Sequence, residues 1–409
     1  MIQPKQVPLI PLRDAFEKLL VSLPKIHATE SVALLEATGR VLAEDLVASV
    51  NVPPHANSAM DGYAVQTADL AVDAAVLHVT QRIVAGRVGL PLAAGEAARI
   101  FTGAPLPEGA DAVVMQENCV LNGDRVEILQ IPEPGDNVRR AGEDVRAGEV
   151  LLPAGHRLRA QDIGLAASTG LTELSVKRKL RVALMTTGDE LVAPGTELKE
   201  GQIYNSNFFA IFALLKSLHA EVIELGVIED DFVSTRQALE EAADQVDCII
   251  STGGVSVGDE DHVKAAVEAV GQLELWSLAI KPGKPFASGK VLDAQFFGLP
   301  GNPVSAFVTF VLLVRPCLLT MLGCNKTLPA TFLVPAGFAC GESGQRQEYI
   351  RAYLKRFASG ATKLVPFDNQ SSGVAASLSR ADGLAIIPPY TSIAKGDDLE
   401  FISFAELLV

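Results

Sequence analysis

The chain has 409 residues, of which 48% are hydrophobic and 20% charged, and a net charge of −15. That length exceeds one ordinary core and implies roughly two to four domains. The negative balance argues against a general binder of nucleic acid or of membrane surfaces, since either needs a basic face.

From the N-terminus, Met1–Pro11 lacks the long apolar run of a signal peptide. Leu12–Leu23 reads as a short amphipathic helix, with Phe16, Leu19, Leu20 and Leu23 on one face. Ser31–Ala37 reads as a second helical piece. From Asn51 to about Arg140 the texture changes to short β-rich runs (Val76–Val84, Ala112–Gln116, Val126–Ile131) between Gly/Pro turns. This predicts a small, mostly-β domain inserted between helices. Gly142–Thr172 returns to mixed structure, with a helix over Ala160–Ser168.

Leu180 begins the clearest unit. Strands are expected at Leu180–Thr186, Glu221–Ile228, Val246–Ile250, Leu273–Ile280 and Ala294–Leu299. Between them, Asn205 or Ser206 caps a helix bearing Phe208, Ile211, Phe212 and Leu215 on one face. Ser234 and Gln237 read as a capping box for the next helix, and Val263, Ala266, Val267 and Val270 as the inner face of a third. This alternation predicts a parallel, helix-covered sheet. Val304–Leu322 approaches membrane-spanning length, but Arg315 and Pro316 interrupt it, so a buried helix is expected. After Leu328 the pattern turns β again and predicts a C-terminal barrel or sandwich of about 80 residues. The five cysteines are scattered with no Cys-x-x-Cys pair, which fits reduced thiols in a cytoplasmic protein rather than a zinc site.

Three loops between Ser251 and Pro303 look built for an anion: Ser251–Asp259, Lys281–Pro285 and Gly298–Pro303. Each follows or adjoins a predicted strand, and open α/β sheets bind ligands at the carboxyl ends of their strands. Glycines such as Gly253, Gly254, Gly258 and Gly301 let backbone N–H groups approach a phosphate. Lys281 and Lys284 add positive charge on proline-flanked turns. The acidic clusters Asp189-Glu190, Asp230-Asp231 and Asp259-Glu260-Asp261 each follow a strand of the same sheet. One alternative makes each a helix cap or solvated turn. The other brings them together at one edge, where carboxylates could hold Mg²⁺ against phosphate charge. On spacing alone, Asn57–Ala64 and Ile100–Pro105 read as hairpin and strand-turn elements, and Arg139-Arg140 with Gly142–Asp144 as an interdomain salt-bridge segment. No Walker A, G-x-G-x-x-G or G-x-S-x-G motif is present, which excludes the common P-loop, dinucleotide and serine-hydrolase readings.

The ordered segments Asn57–Ala64, Phe101–Pro105, Gly142–Val145, Thr187–Leu191 with Gly201–Asn207, Thr252–Gly258, Lys281–Pro285, Gly298–Ser305 and Gln370–Gly373 resemble the molybdopterin molybdenumtransferase family. That family includes MoeA and is related to the E domain of gephyrin. The resemblance spans nearly the whole chain. It implies a multidomain α/β plus β protein whose central parallel α/β domain resembles the molybdopterin adenylyltransferase fold. The implied division is a discontinuous linking domain (28–50 and 141–177), an inserted mostly-β domain (51–140), the α/β domain (1–27 and 178–327) and a C-terminal β-barrel (328–409). It further implies a cytoplasmic homodimer with its active site at the subunit interface, and transient contact with a molybdopterin adenylyltransferase.

The implied reaction inserts molybdenum from molybdate into adenylylated molybdopterin and releases AMP, with Mg²⁺ as the metal. By position, the resemblance assigns Asp61, Thr102, Asp144, Glu190, Asp261 and Lys281 to catalysis, and Glu190, Asp230 and Asp261 to the metal. It assigns Ser206, Thr252, Gly253, Gly254, Ser256, Gly258, Lys284, Pro300, Gly301, Asn302, Pro303 and Arg351 to substrate binding. Some relatives carry further positive charge where this chain has Ser277. Two other readings remain: adenylyl transfer from ATP to molybdopterin, and a non-catalytic scaffold of the gephyrin kind.

Overall fold

A computed structural model describes residues 8–70, 75–254, 262–358 and 360–407. Its centre is a seven-stranded sheet in the order Leu9–Ile10, Gly271–Leu278, Pro285–Val291, Ala294–Leu299, Cys248–Thr252, Arg181–Thr187, Glu221–Ile228. The last four run parallel, and Leu9–Ile10 runs parallel to Gly271–Leu278. The sheet is not wholly parallel as expected, because Pro285–Val291 is antiparallel to both its neighbours. Chain length explains the exception. Only Leu292 and Asp293 separate Pro285–Val291 from Ala294–Leu299, and a parallel crossover needs a dozen residues or more.

Both faces of the sheet are covered. On one side lie the helices Leu12–Ser22, Ser206–Ser217 and Pro303–Met321, packed on Leu184, Ile250, Phe297 and Leu299. On the other lie Phe232–Ala243 and His262–Val270, packed on Ala183, Met185, Ile249 and Phe296. Strands sandwiched this way read as continuous apolar runs, and Cys248–Thr252 is buried at every position. The Pro303–Met321 helix is long and apolar enough to cross a membrane, but 89% of its most apolar window is buried inside the protein, as expected for a core helix.

Two local expectations differ from the structure. The helix predicted at Ser31–Ala37 is a strand, Thr29–Ala33, followed by one 3-10 turn. Its antiparallel partner Glu173–Lys177 lies far along the chain, and that pairing overrides local helical spacing. Ser234 is not a helix cap. The helix starts two residues earlier, at Phe232, because the Asp231 carboxylate accepts the Val233 and Ser234 N–H groups at 2.8 and 3.0 Å. Asn205 caps the preceding helix, accepting from the Phe208 N–H.

The β-rich stretch after Asn51 forms a six-stranded sheet in the order Ala112–Met115, Gly62–Val65, Glu96–Ile100, Val76–Ile83, Arg125–Ile128, Cys119–Asn122. Residues on either side of it build a third core from Leu42, Leu158, Ala166, Leu174 and Val176. The C-terminal strands Gln347–Arg356, Gly383–Ile387, Asp398–Ser403 and Phe332–Pro335 pair in sequence, with Thr362–Pro366 on the outer side of Gln347–Arg356. Ala336 forms a bridge to Leu364 of that outer strand.

Phe297 is fully buried and stacks on Phe286 at a centroid distance of 6.1 Å. Phe297→Ala is therefore expected to destabilise the α/β unit by about 3–5 kcal/mol, the usual range for removing a buried aromatic side chain. Urea unfolding followed by Trp276 fluorescence would read this, since Trp276 also packs on Phe286.

Candidate functional site

Register decides where the loops go. Thr186 lies beside Thr252, Thr252 beside Leu299, and Thr187 beside Ile228. These parallel strands therefore end at one common edge. The antiparallel strand begins there, with Pro285 opposite Ser277. Glu190, Asp230, Thr252–Gly254, Lys281, Lys284, Pro300–Pro303 and the helix start at Ser206 consequently share that edge. Ser256, Gly258 and Asp261 lie outside the described residues.

Several contacts hold the edge in shape. The Asn205 amide donates to Thr186 Oγ1 at 2.8 Å while its carbonyl oxygen caps its helix. The Asn207 amide donates to the Gly301 carbonyl at 2.6 Å, tying the Ser206 helix start to the Pro300–Pro303 turn. Gly254 has φ +63°, and a Cβ there would lie 2.4 Å from Val263 Cγ2. Gly283 has φ +111°, and a Cβ there would lie 2.6 Å from Thr309 Oγ1. Glycine at these two positions lets both loops close onto the core.

The charges are arranged unequally. Lys281 Nζ pairs with Glu348 Oε1 at 2.9 Å, so a carboxylate of the C-terminal unit already faces it. Lys284 is exposed and makes no hydrogen bond or ion pair among the described residues. Asp231 is engaged as a helix cap, whereas the Glu190 and Asp230 carboxylates have no such partner among the described residues. Among the described residues no group of three metal-ligating side chains is assembled. Two uncommitted carboxylates nevertheless fit Mg²⁺, which keeps several waters and commonly takes one or two protein carboxylates plus substrate phosphate oxygens.

Arg351 differs from its expected role. It is 1% exposed, and its guanidinium donates to Ser377 Oγ and to the Asn369 and Ser371 carbonyls. It is a framework residue that shapes the Asn369–Ser372 loop. That loop reaches the edge through Ser372, whose carbonyl accepts the Val304 N–H at the start of the core helix.

A second polar group forms in the 51–140 unit. Asp61 Oδ1 accepts both the Thr102 N–H at 2.8 Å and the Thr102 hydroxyl at 2.7 Å. The Gly103 N–H donates to the Ser58 carbonyl and the Ser58 N–H to the Ala104 carbonyl across the same two loops. Asn57–Ser58 also pairs with Val138–Arg139, and the ribbon continues to Val52, whose carbonyl accepts the Asp144 N–H. Asp61 and Thr102 thus form one ledge, and Asp144 lies further along the adjoining ribbon. Among the described residues, no hydrogen bond or ion pair joins this ledge to the strand-end edge of the same chain. Asn205, Asn207, Glu348 and Ser372 were not singled out for the site from sequence. Asn205 and Asn207 lie in the Gly201–Asn207 motif and Ser372 in the Gln370–Gly373 motif, whereas Glu348 left no local signal.

Together, the doubly covered sheet and its strand-end loops define an α/β unit of the kind that holds anionic, phosphate-bearing ligands, flanked by β-rich units. Residues 10–170 match the MoeA N-terminal region (domain I and II), 183–320 a probable molybdopterin binding domain, and 334–404 the MoeA C-terminal region (domain IV). The chain belongs to the molybdopterin molybdenumtransferase family. It is 46% identical to the molybdopterin molybdenumtransferase of Haemophilus influenzae over 317 residues, covering 77% of this chain and 78% of that one. It is 36% identical to the Nostoc sp. molybdopterin molybdenumtransferase over 406 residues, covering 96% and 93%. A crystal structure of the molybdopterin biosynthesis MoeA protein from Pyrococcus horikoshii OT3 aligns with a TM-score of 0.83 at 31% identity, covering 97% of this chain and all of that one.

The Asp61 carboxyl is held below its ordinary value of 3.8, first by the Thr102 N–H bond and then by the Thr102 hydroxyl. A depressed pKa means that the stabilisation is present above the ordinary value and lost as pH falls through the folded one. Thr102→Val removes the hydroxyl and is expected to move the Asp61 titration upward, back toward 3.8. Carboxyl ¹³C NMR titration of both proteins would measure it.

Proposed function

We propose that this chain inserts molybdenum from molybdate into adenylylated molybdopterin, with AMP as the leaving product. The observation that carries this reading is the gathering of glycine turns, lysines and uncommitted carboxylates at one strand edge, in a chain of this family. Molybdate and the substrate's phosphates are all anions, so holding them together requires aligned N–H donors and fixed cations.

The Gly254 N–H, with Ser206 at its helix start, binds substrate phosphate, while the Gly253 N–H is bonded to the Leu299 carbonyl and fixes the turn. Lys284, unpaired among the described residues, offers a positive charge beside it. Lys281 acts together with Glu348, so its contribution to anion binding is weaker than that of a bare ammonium. The turn Pro300–Pro303 frames the oxyanion, and Asn207 holds that turn in place. Glu190 and Asp230 hold Mg²⁺, together with Asp261 by its sequence position. Mg²⁺ there would neutralise the pyrophosphate and polarise the bond that breaks. Asp61, kept ionised by Thr102, and Asp144 present oxygen acceptors for protons and waters around molybdate. The dithiolene sulfurs belong to the substrate, so no cysteine is needed.

The reading includes a cytoplasmic homodimer in which the Asp61–Thr102 ledge of one subunit faces the strand-end edge of the other. That no hydrogen bond or ion pair joins the two polar groups within one chain, among the described residues, supports it. A molybdopterin adenylyltransferase that supplies the substrate is the expected transient partner. The C-terminal strands form a small barrel closed through the Ala336–Leu364 bridge, which presents Glu348 and Ser372 to the edge.

Purified protein with adenylylated molybdopterin, molybdate and Mg²⁺ is expected to release AMP in a molybdate-dependent manner. No release with bound substrate would defeat the assignment. Asp61→Asn and Glu190→Gln should each abolish turnover. Co-refolded, the two variants should regain about a quarter of wild-type activity, because random pairing makes half the dimers mixed, each with one intact composite site. A mixture that stays inactive would place the whole site within one chain.

A further inference from the structure

One side chain fastens the Asp61–Thr102 pair from both of its loops at once. Arg99 lies in the strand Glu96–Ile100, partly buried, opposite Tyr63 of Gly62–Val65. Its Nη1 donates to the Gly62 carbonyl at 2.9 Å and its Nη2 to Gln116 Oε1 at 2.5 Å. The guanidinium carbon also lies 4.6 Å from the Phe101 ring centroid and 5.2 Å from that of Tyr63. Gly62 follows Asp61, and Phe101 precedes Thr102. A single guanidinium therefore grips the chain neighbour of each member of the pair.

The surrounding contacts leave that grip little play. The Gln116 N–H donates to the Asp61 carbonyl at 3.0 Å, so the residue that receives Nη2 is itself bonded to the Asp61 backbone. Gly62 is pressed between strands, where a Cβ would lie 1.9 Å from the Val114 carbonyl oxygen. Phe101 carries a second cation: the Arg82 guanidinium carbon is also 4.6 Å from its centroid, and Arg82 is the register partner of Arg99. Attraction of both guanidiniums to one ring holds Phe101 in place. Two acceptors and two rings are met here by one planar, forked group, and a lysine ammonium could keep the charge but not the fork. The Asp61 carboxyl is lowered first by the Thr102 N–H, then by the Thr102 hydroxyl, and after these by the charge of Arg99.

We infer, resting on the molybdenum-insertion reading above, that Arg99 is a positioning residue for the reaction. By holding Gly62, Gln116 and Phe101 it keeps both Thr102 donors aimed at Asp61 Oδ1, and so fixes where the second carboxylate oxygen points. Arg99 itself touches no reacting atom in this role. Displacing a reacting group by about 1 Å can cost about a hundredfold in rate, so rigidity behind Asp61 bears directly on turnover.

The test joins a spectroscopic measurement to turnover in two variants, Arg99→Met, which keeps the aliphatic stem, and Arg99→Lys, which keeps the charge. In protein labelled with ¹⁵N-threonine, the Thr102 amide resonance is identified by its loss in Thr102→Val. Its shift is expected to follow the Asp61 titration in the wild-type protein, because the N–H is bonded to that carboxylate. The amplitude of the shift reports the bond, whereas its midpoint reports the charge. Arg99→Met should lose most of the amplitude and Arg99→Lys a clear part of it. For AMP release, kcat of Arg99→Met should fall by about ten- to a hundredfold with KM within about twofold of wild type. Wild-type amplitude in either variant would overturn the positioning role, since the fork would then be dispensable. Lost amplitude with unchanged kcat would separate the pair from this reaction and overturn the inference. A raised KM at unchanged kcat would make Arg99 a substrate-binding group and overturn it as well. If the wild-type protein releases no AMP, the reaction assignment fails, while the Thr102 amplitude still decides whether Arg99 holds the pair. If Arg99→Met does not fold, Arg99→Lys carries both measurements.

Discussion

Burial of both faces of the central sheet is the constraint on which the rest of the molecule depends. With helices on either side, a slip of one residue would turn every inward side chain to the wrong face. The register Thr186–Thr252–Leu299 is thereby specified by the core rather than by the loops. Once that row is set, every following loop must emerge at the same edge. The polar groups of the candidate site are gathered by hydrophobic packing some distance beneath them.

On that edge the structure spends its charges selectively. Asp231 is used to start a helix, Lys281 is matched by Glu348, and Arg351 is turned inward to shape a loop. Glu190, Asp230 and Lys284 are left uncommitted among the described residues. A strongly acidic chain can hold an anion only if a few cations remain unneutralised, and the pattern at this edge meets that requirement.

The Asp61–Thr102 ledge shows a different division of labour. Its geometry is complete within its own unit, since Thr102 supplies two donors to one carboxylate oxygen. Yet it makes no described polar contact with the strand-end edge. A ledge so ordered and so separate is suited to meeting its complement across an interface, which is why the homodimer forms part of the functional reading.

Local chemistry was enough to read much of this from sequence. The strand-helix alternation after Leu180, the β-rich stretch after Asn51, the buried character of Val304–Leu322 and the glycine and lysine loops all follow from periodicity and turn residues a few positions apart. Ordered motifs added the family. What sequence left open were contacts between distant positions: Asp61 with Thr102 across 41 residues, Lys281 with Glu348 across 67, and Asn207 with Gly301 across 94. The same holds for the antiparallel Pro285–Val291 strand and for the strand at Thr29–Ala33, whose partners override their local texture. Sequence alone determined which segments form strands, helices and anion-type loops, because backbone preference and amphipathic spacing are properties of neighbours. Tertiary structure alone decided which charges stay uncommitted and which are spent, because pairing and burial depend on what the fold brings alongside.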